Sequence, residues 1–282
     1  MEVARRVLTT EPIIEVKGLS AEYGGQLIYD DVTFQVKRGE IFFIAGDSGG
    51  GKSTLLRQMI GLQPIARGSI QICEWDIERE LGGGASAPKL YHEIGVAFQG
   101  GALFGSRTIL ENVRLPLEQF TPLPAKLMDF VALTKLRLVG LEGAAQKLPA
   151  ELSGGMQKRA ALARALALDP QIVFLDEPSA GLDPLTSAGL DALIKEFNRD
   201  LGTTFVVVSH ELPSIFALAD RVALLAASMH RVVAIDTPEA LRDNPRSAWA
   251  RAFFHRDATA AQAAAIKGPS PTVGTPMKGA SA

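Results

Sequence analysis

Apolar and polar positions change rhythm several times along this chain, and each change marks an element. Ile13–Lys17 and Val32–Val36 alternate with a period of two, the pattern of half-buried strands, with Tyr23-Gly24-Gly25 in the turn region between them. Ile41–Ala45, Ile172–Leu175 and Phe205–Val208 are instead continuously apolar, which suits parallel strands covered on both faces. Ser69–Cys73, Ile94–Phe98, Val222–Ala226 and Arg231–Ile235 read as further strands. Lys52–Ile60 predicts a helix closed by Gly61, with Pro64 shortly beyond. A longer helix is capped by Asp183, starts at Pro184, buries Leu190, Leu193, Ile194, Phe197 and Leu201, and stops at Gly202. Between Gln99 and Leu168 the strand signal vanishes. Ile109–Leu115, Ala125–Leu138 and Gly154–Leu168 read as helices separated by proline or glycine breaks.

These periods predict an α/β fold in two stretches, residues 1–98 and 169–257, around a helical insertion at 99–168. Short helices at Pro238–Arg242 and Ser247–Phe254 close the second stretch. Leu81–Pro88, with three successive glycines, reads as a flexible surface loop, and Ala258–Ala282, rich in small residues and proline, as a disordered tail.

With 282 residues and 47% hydrophobic content, the chain can bury one large core. A net charge of −2 supplies no basic field for counterion release, so nucleic acid is a poor partner. Cys73 is the lone cysteine and reads as a small buried strand residue, so a reducing compartment is expected. Met1–Pro12 carries Glu2 and Glu11 and lacks the apolar core of a signal peptide, and no apolar run approaches the ~18 residues of a membrane span. A protein that is neither secreted nor membrane-spanning is expected.

Gly46-Asp47-Ser48-Gly49-Gly50-Gly51-Lys52-Ser53-Thr54 lies between an apolar strand and a helix. Its glycines let backbone N–H groups turn inward around a phosphate, and the helix N-terminus adds partial positive charge at the same point. Lys52 is placed to reach the β- and γ-phosphates and Ser53 to bind Mg²⁺, as the G-x-x-x-x-G-K-[ST] pattern requires.

In an open α/β sheet, ligands bind beyond the carboxyl ends of the strands. There the chain places the phosphate loop, Gln99 after Phe98, Asp176 and Glu177 after Leu175, and Ser209 and His210 after Val208. Asp176 suits Mg²⁺ through water, Glu177 can take a proton from an attacking water, and Gln99 and His210 can contact water, metal or the γ-phosphate. Leu152-Ser153-Gly154-Gly155-Met156 opens a second helix with a serine cap and two glycines, so the chain carries two phosphate cradles. If each ATP uses both kinds, a second copy must supply one of them. A head-to-tail dimer is the economical geometry, and a merely capped helix is the plainer alternative.

In this order, the phosphate loop, Gln99, Leu152–Met156, Ile172–Glu177, Ser179-Ala180-Gly181-Leu182-Asp183 and His210 resemble an ABC-transporter ATPase subunit over about residues 13–245. The resemblance implies a P-loop NTPase core of RecA-like fold with an inserted helical subdomain and N-terminal antiparallel β elements. It also implies ATP and Mg²⁺ as ligands, with Ser53, Gln99 and Asp176 around the metal. Tyr23 becomes the adenine-stacking aromatic, Glu177 the general base, Gln99 the link to a membrane partner, and Asp183 part of a dimer-contacting loop.

Phe98-Gln99-Gly100-Gly101-Ala102-Leu103-Phe104, Glu111-Asn112-Val113 with Pro116-Leu117, and Ser153–Arg159 resemble more narrowly the ATPases of Mla or MCE-type phospholipid transporters. Met156, where many related ATPases carry Gln, and Lys158-Arg159 carry that resemblance. It implies a multispanning permease, an MCE-domain protein and a small STAS-domain protein as partners, at the cytoplasmic face of the bacterial inner membrane. Leu103 and Phe104 read equally as a groove for a permease helix or as core packing. An ATPase for another solute remains the alternative within transporters. A soluble ABC ATPase is disfavoured because the chain shows no tandem cassette or basic surface, and a GTPase because no Asn-Lys-x-Asp motif occurs.

Overall fold

The computed structural model describes residues 12–81, 87–243, 247–257 and 259. Two sheets organise the chain. β1 (Pro12–Tyr23), β2 (Gln26–Lys37), β4 (Arg67–Ile72) and β5 (Trp75–Asp76) form an antiparallel sheet in the order β2-β1-β4-β5. β3 (Ile41–Gly46), β6 (Ile94–Ala97), β7 (Ile172–Asp176), β8 (Thr204–Val208), β9 (Arg221–Ala226) and β10 (Arg231–Asp236) form the second, in the order β10-β9-β3-β8-β7-β6. All of its neighbouring strands run parallel except β9 and β10.

The apolar runs divide between two layers because alternate strand side chains face opposite ways. Phe42, Ile44, Phe174, Val206 and Val208 pack with α1 (Lys52–Met59) and the antiparallel sheet. Phe43, Ala45, Val173, Leu175, Phe205 and Val207 face the helical side. That side holds α4 (Ile109–Phe120), α5 (Ala125–Leu138), α6 (Gly154–Ala165), α7 (Pro184–Leu201), α8 (Leu212–Leu218), α9 (Pro238–Asp243) and α10 (Ala248–Phe254). Ile109, Val113, Ala132, Leu136 and Ala160–Ala163 share one cluster with the sheet residues. The three helices between β6 and β7 are therefore fastened to the sheet through α6. It comes close at Gly95 on β6, where a Cβ would lie 2.0 Å from the Ala165 carbonyl oxygen.

Local signals held where caps specified them. Asp183 accepts from Leu185 N and Thr186 N at 3.1 and 3.0 Å at the start of α7, and Gly202 ends it with φ 68°. Elsewhere elements differ from expectation. β1 and β2 run well beyond their alternating cores, because register shifts let the irregular stretch at Leu19–Glu22 keep pairing. α4 continues through Pro116 to Phe120, since its missing N–H leaves just one helical bond unmade and a Thr108–Glu111 capping box secures the start. α6 ends at Ala165, three residues before the expected Leu168, and β6 ends one residue before Phe98.

Cys73, expected as the last residue of a strand, instead lies just past the end of β4 in a turn with φ 52°. Its N–H donates to Ile13 O at 2.8 Å. Partial burial pushes its thiol up to about 11, with Glu93 adding to the shift, so it remains protonated and unreactive at neutral pH. Much of the expected Leu81–Pro88 loop lies outside the described residues. On either side stand two helices that were not expected, α2 (Ile77–Leu81) and α3 (Ala87–Glu93). Most of the expected tail at 258–282 likewise lies outside the described residues. Among them, no helix is long and apolar enough to cross a membrane.

Candidate functional site

The loop between β3 and α1 is bent by backbone conformations that favour glycine: φ is 146° at Gly46, 80° at Gly49 and 85° at Gly51. A Cβ at Gly46 would lie 1.9 Å from Leu225 O, so the close approach of β9 also excludes any side chain there. Asp47 ties the loop to the end of β9 by accepting from Ala227 N at 2.8 Å. Ser48 and Gly49 are exposed at the tip, and Gly50 N donates back to Asp47 O at 3.3 Å.

Lys52, Ser53 and Thr54 form the first turn of α1, whose first helical bond at this end is Leu55 N to Gly51 O at 2.8 Å. The turn contains no acidic residue, and Gly51 gives it no side-chain cap. Its free N–H groups and the helix dipole therefore point at whatever anion the loop encloses. The Lys52 ammonium sits within the loop, 3.1 Å from Gly46 O and 2.8 Å from Asp47 O. Burial pulls its pKa below the ordinary lysine value, against the carboxylates of Glu177, Asp47 and Asp176.

The parallel strands deliver the remaining groups at the same edge. Ser53 Oγ lies 3.5 Å from Asp176 Oδ1. Burial, reinforced by the neighbouring Glu177 charge, raises the Asp176 pKa. A cation held there relieves that penalty. Hydroxyl and carboxylate oxygens are hard donors, and no cluster of three or more His, Cys, Asp or Glu that could hold a metal occurs among the described residues. The set thus fits Mg²⁺, which takes many of its ligands from phosphates and water.

Glu177 follows immediately, in the left-handed region with φ 47°, its N–H donating to Val208 O at 2.8 Å. Its Oε1 is 2.8 Å from His210 Nδ1, while its buried Oε2 has no hydrogen-bond partner within the protein. An ionised carboxylate only accepts, so Nδ1 of His210 is the donor. One oxygen orients the group and the other is available to a water proton. Gln99 is exposed two residues past β6.

Tyr23 stands at the tip of the β1–β2 hairpin, 76% exposed. The same hairpin borders the phosphate loop, since Ile28 and Tyr29 bound the space beside Gly51. Ser153 caps α6 by accepting from Met156 N at 3.3 Å. Gly154 lies beside Leu182, just before α7, and Gly155 is crowded by Thr186 in the first turn of α7, where a Cβ would come within 2.4 Å of Thr186 Cγ2. In one chain, then, this cradle packs on the Asp183 loop.

A sequence profile of the family described as "ABC transporter" matches residues 29–180, more than half of the chain. The chain belongs to the ABC transporter family. As an ABC ATPase it binds and hydrolyses ATP. It is 41% identical over 236 residues to the intermembrane phospholipid transport system ATP-binding protein MlaF of Escherichia coli K12, covering 83% of this chain and 85% of that one. It is 43% identical to the probable ribonucleotide transport ATP-binding protein mkl of Mycobacterium leprae, covering 75% and 60%. Among solved structures, the dimeric ATP-binding cassette MJ0796 bound to ADP and Pi superposes with a TM-score of 0.72 at 30% identity, over 79% of this chain and 98% of that one.

Three polar residues of this ABC cassette have structural roles that the sequence does not assign: Asn112 and Lys158, which entered only through the resemblance, and Arg164. Asn112, fully buried, donates to the carbonyls of Phe104, Arg107 and Thr108 and accepts from Phe104 N at 2.7 Å. It shapes the segment after Gln99 so that Leu103 packs on the core while Phe104 is exposed, which divides the apolar pair. Arg164 donates to Gly101 O and Ala102 O, both at 2.7 Å. Lys158 reaches the carbonyls of Gln99 and Glu177, the latter at 3.3 Å. In the sequence Lys158 and Arg164 appear only as basic residues on either side of the apolar run Ala160–Ala163.

Proposed function

We propose that this ABC ATPase drives phospholipid transport between the inner and outer bacterial membranes. It works as a head-to-tail dimer on the cytoplasmic face of the inner membrane, beneath a multispanning permease and with an MCE-domain and a STAS-domain protein. The observation that carries this reading is the 41% identity to MlaF across 83% of this chain and 85% of that one. The mkl relative, named for ribonucleotide transport, favours a second reading in which the same motor moves another solute.

In the proposed dimer each ATP lies between Gly46–Thr54 of one copy and Ser153, Gly154 and Gly155 of the other, with its adenine on Tyr23. Lys52 and the N–H groups of the first turn of α1 bind the phosphates. Mg²⁺, held by Ser53, Asp176 and Gln99, would neutralise charge developing on the β- and γ-phosphate oxygens. His210 orients Glu177, whose Oε2 takes a proton as water attacks the γ-phosphorus and the bond to the β-phosphate oxygen breaks. After hydrolysis the cleaved γ-phosphate departs as inorganic phosphate, which removes the anion shared by both copies, so the dimer reopens. Phe104, exposed just past Gln99, offers the permease an apolar anchor that moves with the site.

Affinity purification of the tagged chain from detergent-solubilised membranes, followed by mass spectrometry, tests the reading. Recovery of a permease with an MCE-domain protein is the expected outcome. A permease with a solute-binding protein replaces the cargo, and soluble partners alone overturn the transport complex.

A further inference from the structure

Helix α6 begins at the Ser153–Gly155 cradle and carries two cations that end on the other hydrolytic elements. Arg164 holds the carbonyls of Gly101 and Ala102, and Ala102 is itself in the left-handed region at φ 48°. Lys158 holds the carbonyl of Gln99. The segment from Gln99 to Ala102 is thereby stapled to α6 at both ends. Lys158 alone of the pair also crosses to the sheet side, where its ammonium lies 3.3 Å from the carbonyl of Glu177. That carbonyl belongs to a non-glycine residue at φ 47°, a conformation that needs support from its surroundings. Support comes from Glu177 N to Val208 O at 2.8 Å, from Ala180 N to Glu177 O at 3.2 Å, and from Lys158.

We propose that Lys158 is a positioning residue that holds Glu177 and Gln99 in register and ties both to the helix whose first residues meet the opposite nucleotide. The inference rests on the dimer reading above. A small turn of α6, as Ser153–Gly155 engages or releases a phosphate, displaces the Lys158 ammonium. It thereby removes a support from the Glu177 backbone and shifts Gln99 in the same movement. Each nucleotide is in this way reported to the base of the other site by one side chain.

The test is steady-state MgATP hydrolysis by the purified full-length chain and its Lys158→Met variant, which keeps the length of the side chain and removes its donors. The expected result is a kcat lower by about tenfold or more with KM for ATP within about twofold, since the lost interaction orients the base and does not bind substrate. Lys158→Arg, which can still donate to both carbonyls, restores kcat to within about threefold of wild type. A thermal midpoint within a few degrees of wild type accompanies the Met variant. Coupling to the opposite site is read from a cycle with Ser153→Ala: the double variant loses no more than the worse single variant. Wild-type kcat in Lys158→Met, a loss carried by KM, or a loss that Arg does not rescue overturns the positioning role. Multiplicative losses in the cycle overturn the coupling. A wild-type chain that hydrolyses ATP without dimerising on it removes the dimer reading, and the coupling falls with it while the positioning role stands on its own kcat result.

Discussion

His210 donates from Nδ1 to Oε1 of Glu177 across 2.8 Å, joining residues that leave two neighbouring parallel strands. Glu177→Gln keeps an acceptor for that bond and removes the base. Turnover is expected to fall by about a hundredfold or more with ATP affinity retained. Kinetics beside equilibrium binding of a fluorescent ATP analogue separate the two quantities. Normal turnover would remove Glu177 from the chemistry.

Tyr23 is 76% exposed, so its ring contributes little to the fold. Tyr23→Ala is expected to leave the thermal midpoint unchanged while weakening ATP by roughly fivefold or more, the loss of one base-stacking contact. Equal affinity in the variant would return Tyr23 to the status of a turn residue.

Gly95 has no predicted chemical role, yet a Cβ there would come within 2.0 Å of the Ala165 carbonyl oxygen. Backbone on both sides leaves little room to yield. Gly95→Ala is expected to cost about 1–3 kcal/mol, the usual range for overpacking, and to lower the denaturant midpoint. Wild-type stability would mean that α6 sits further from β6 than described.

Asp191, buried on α7, accepts from Ser214 Oγ at 2.8 Å, and burial raises its pKa against that hydrogen bond. Between its ordinary value and the raised one, the folded state binds more protons than the unfolded state. Stability therefore falls as pH rises through that window and stays lower above it. Asp191→Asn keeps an acceptor for Ser214 and abolishes the titration. Its thermal midpoint relative to wild type should be higher at pH 8 than at pH 4.5, and an equal difference at both values would contradict the burial argument.

Much of this protein was legible in its residues because local chemistry is strict there. Gly46, Gly49 and Gly51 announce left-handed or otherwise glycine-favouring backbone, Asp183-Pro184 and Gly202 mark both ends of α7, and continuous apolar runs mark strands covered on two faces. The order of the polar residues after those strands then located Gln99, Asp176, Glu177 and His210 at one edge, because parallel strands all end on the same side. Period alone located elements less well where tertiary pairing overrode it. β1 and β2 lengthened by pairing with each other, α4 carried Pro116 within it, and Cys73 fell in a turn whose geometry depends on β4 meeting β1.

What the tertiary structure alone decided is which distant groups touch. That Lys158 reaches Gln99 and that Gly95 must lack a side chain both follow from α6 packing on the sheet. No window of sequence contains those distances. Strand and helix periods report which face of an element is apolar, whereas a contact across more than fifty residues depends on how close two such faces finally come.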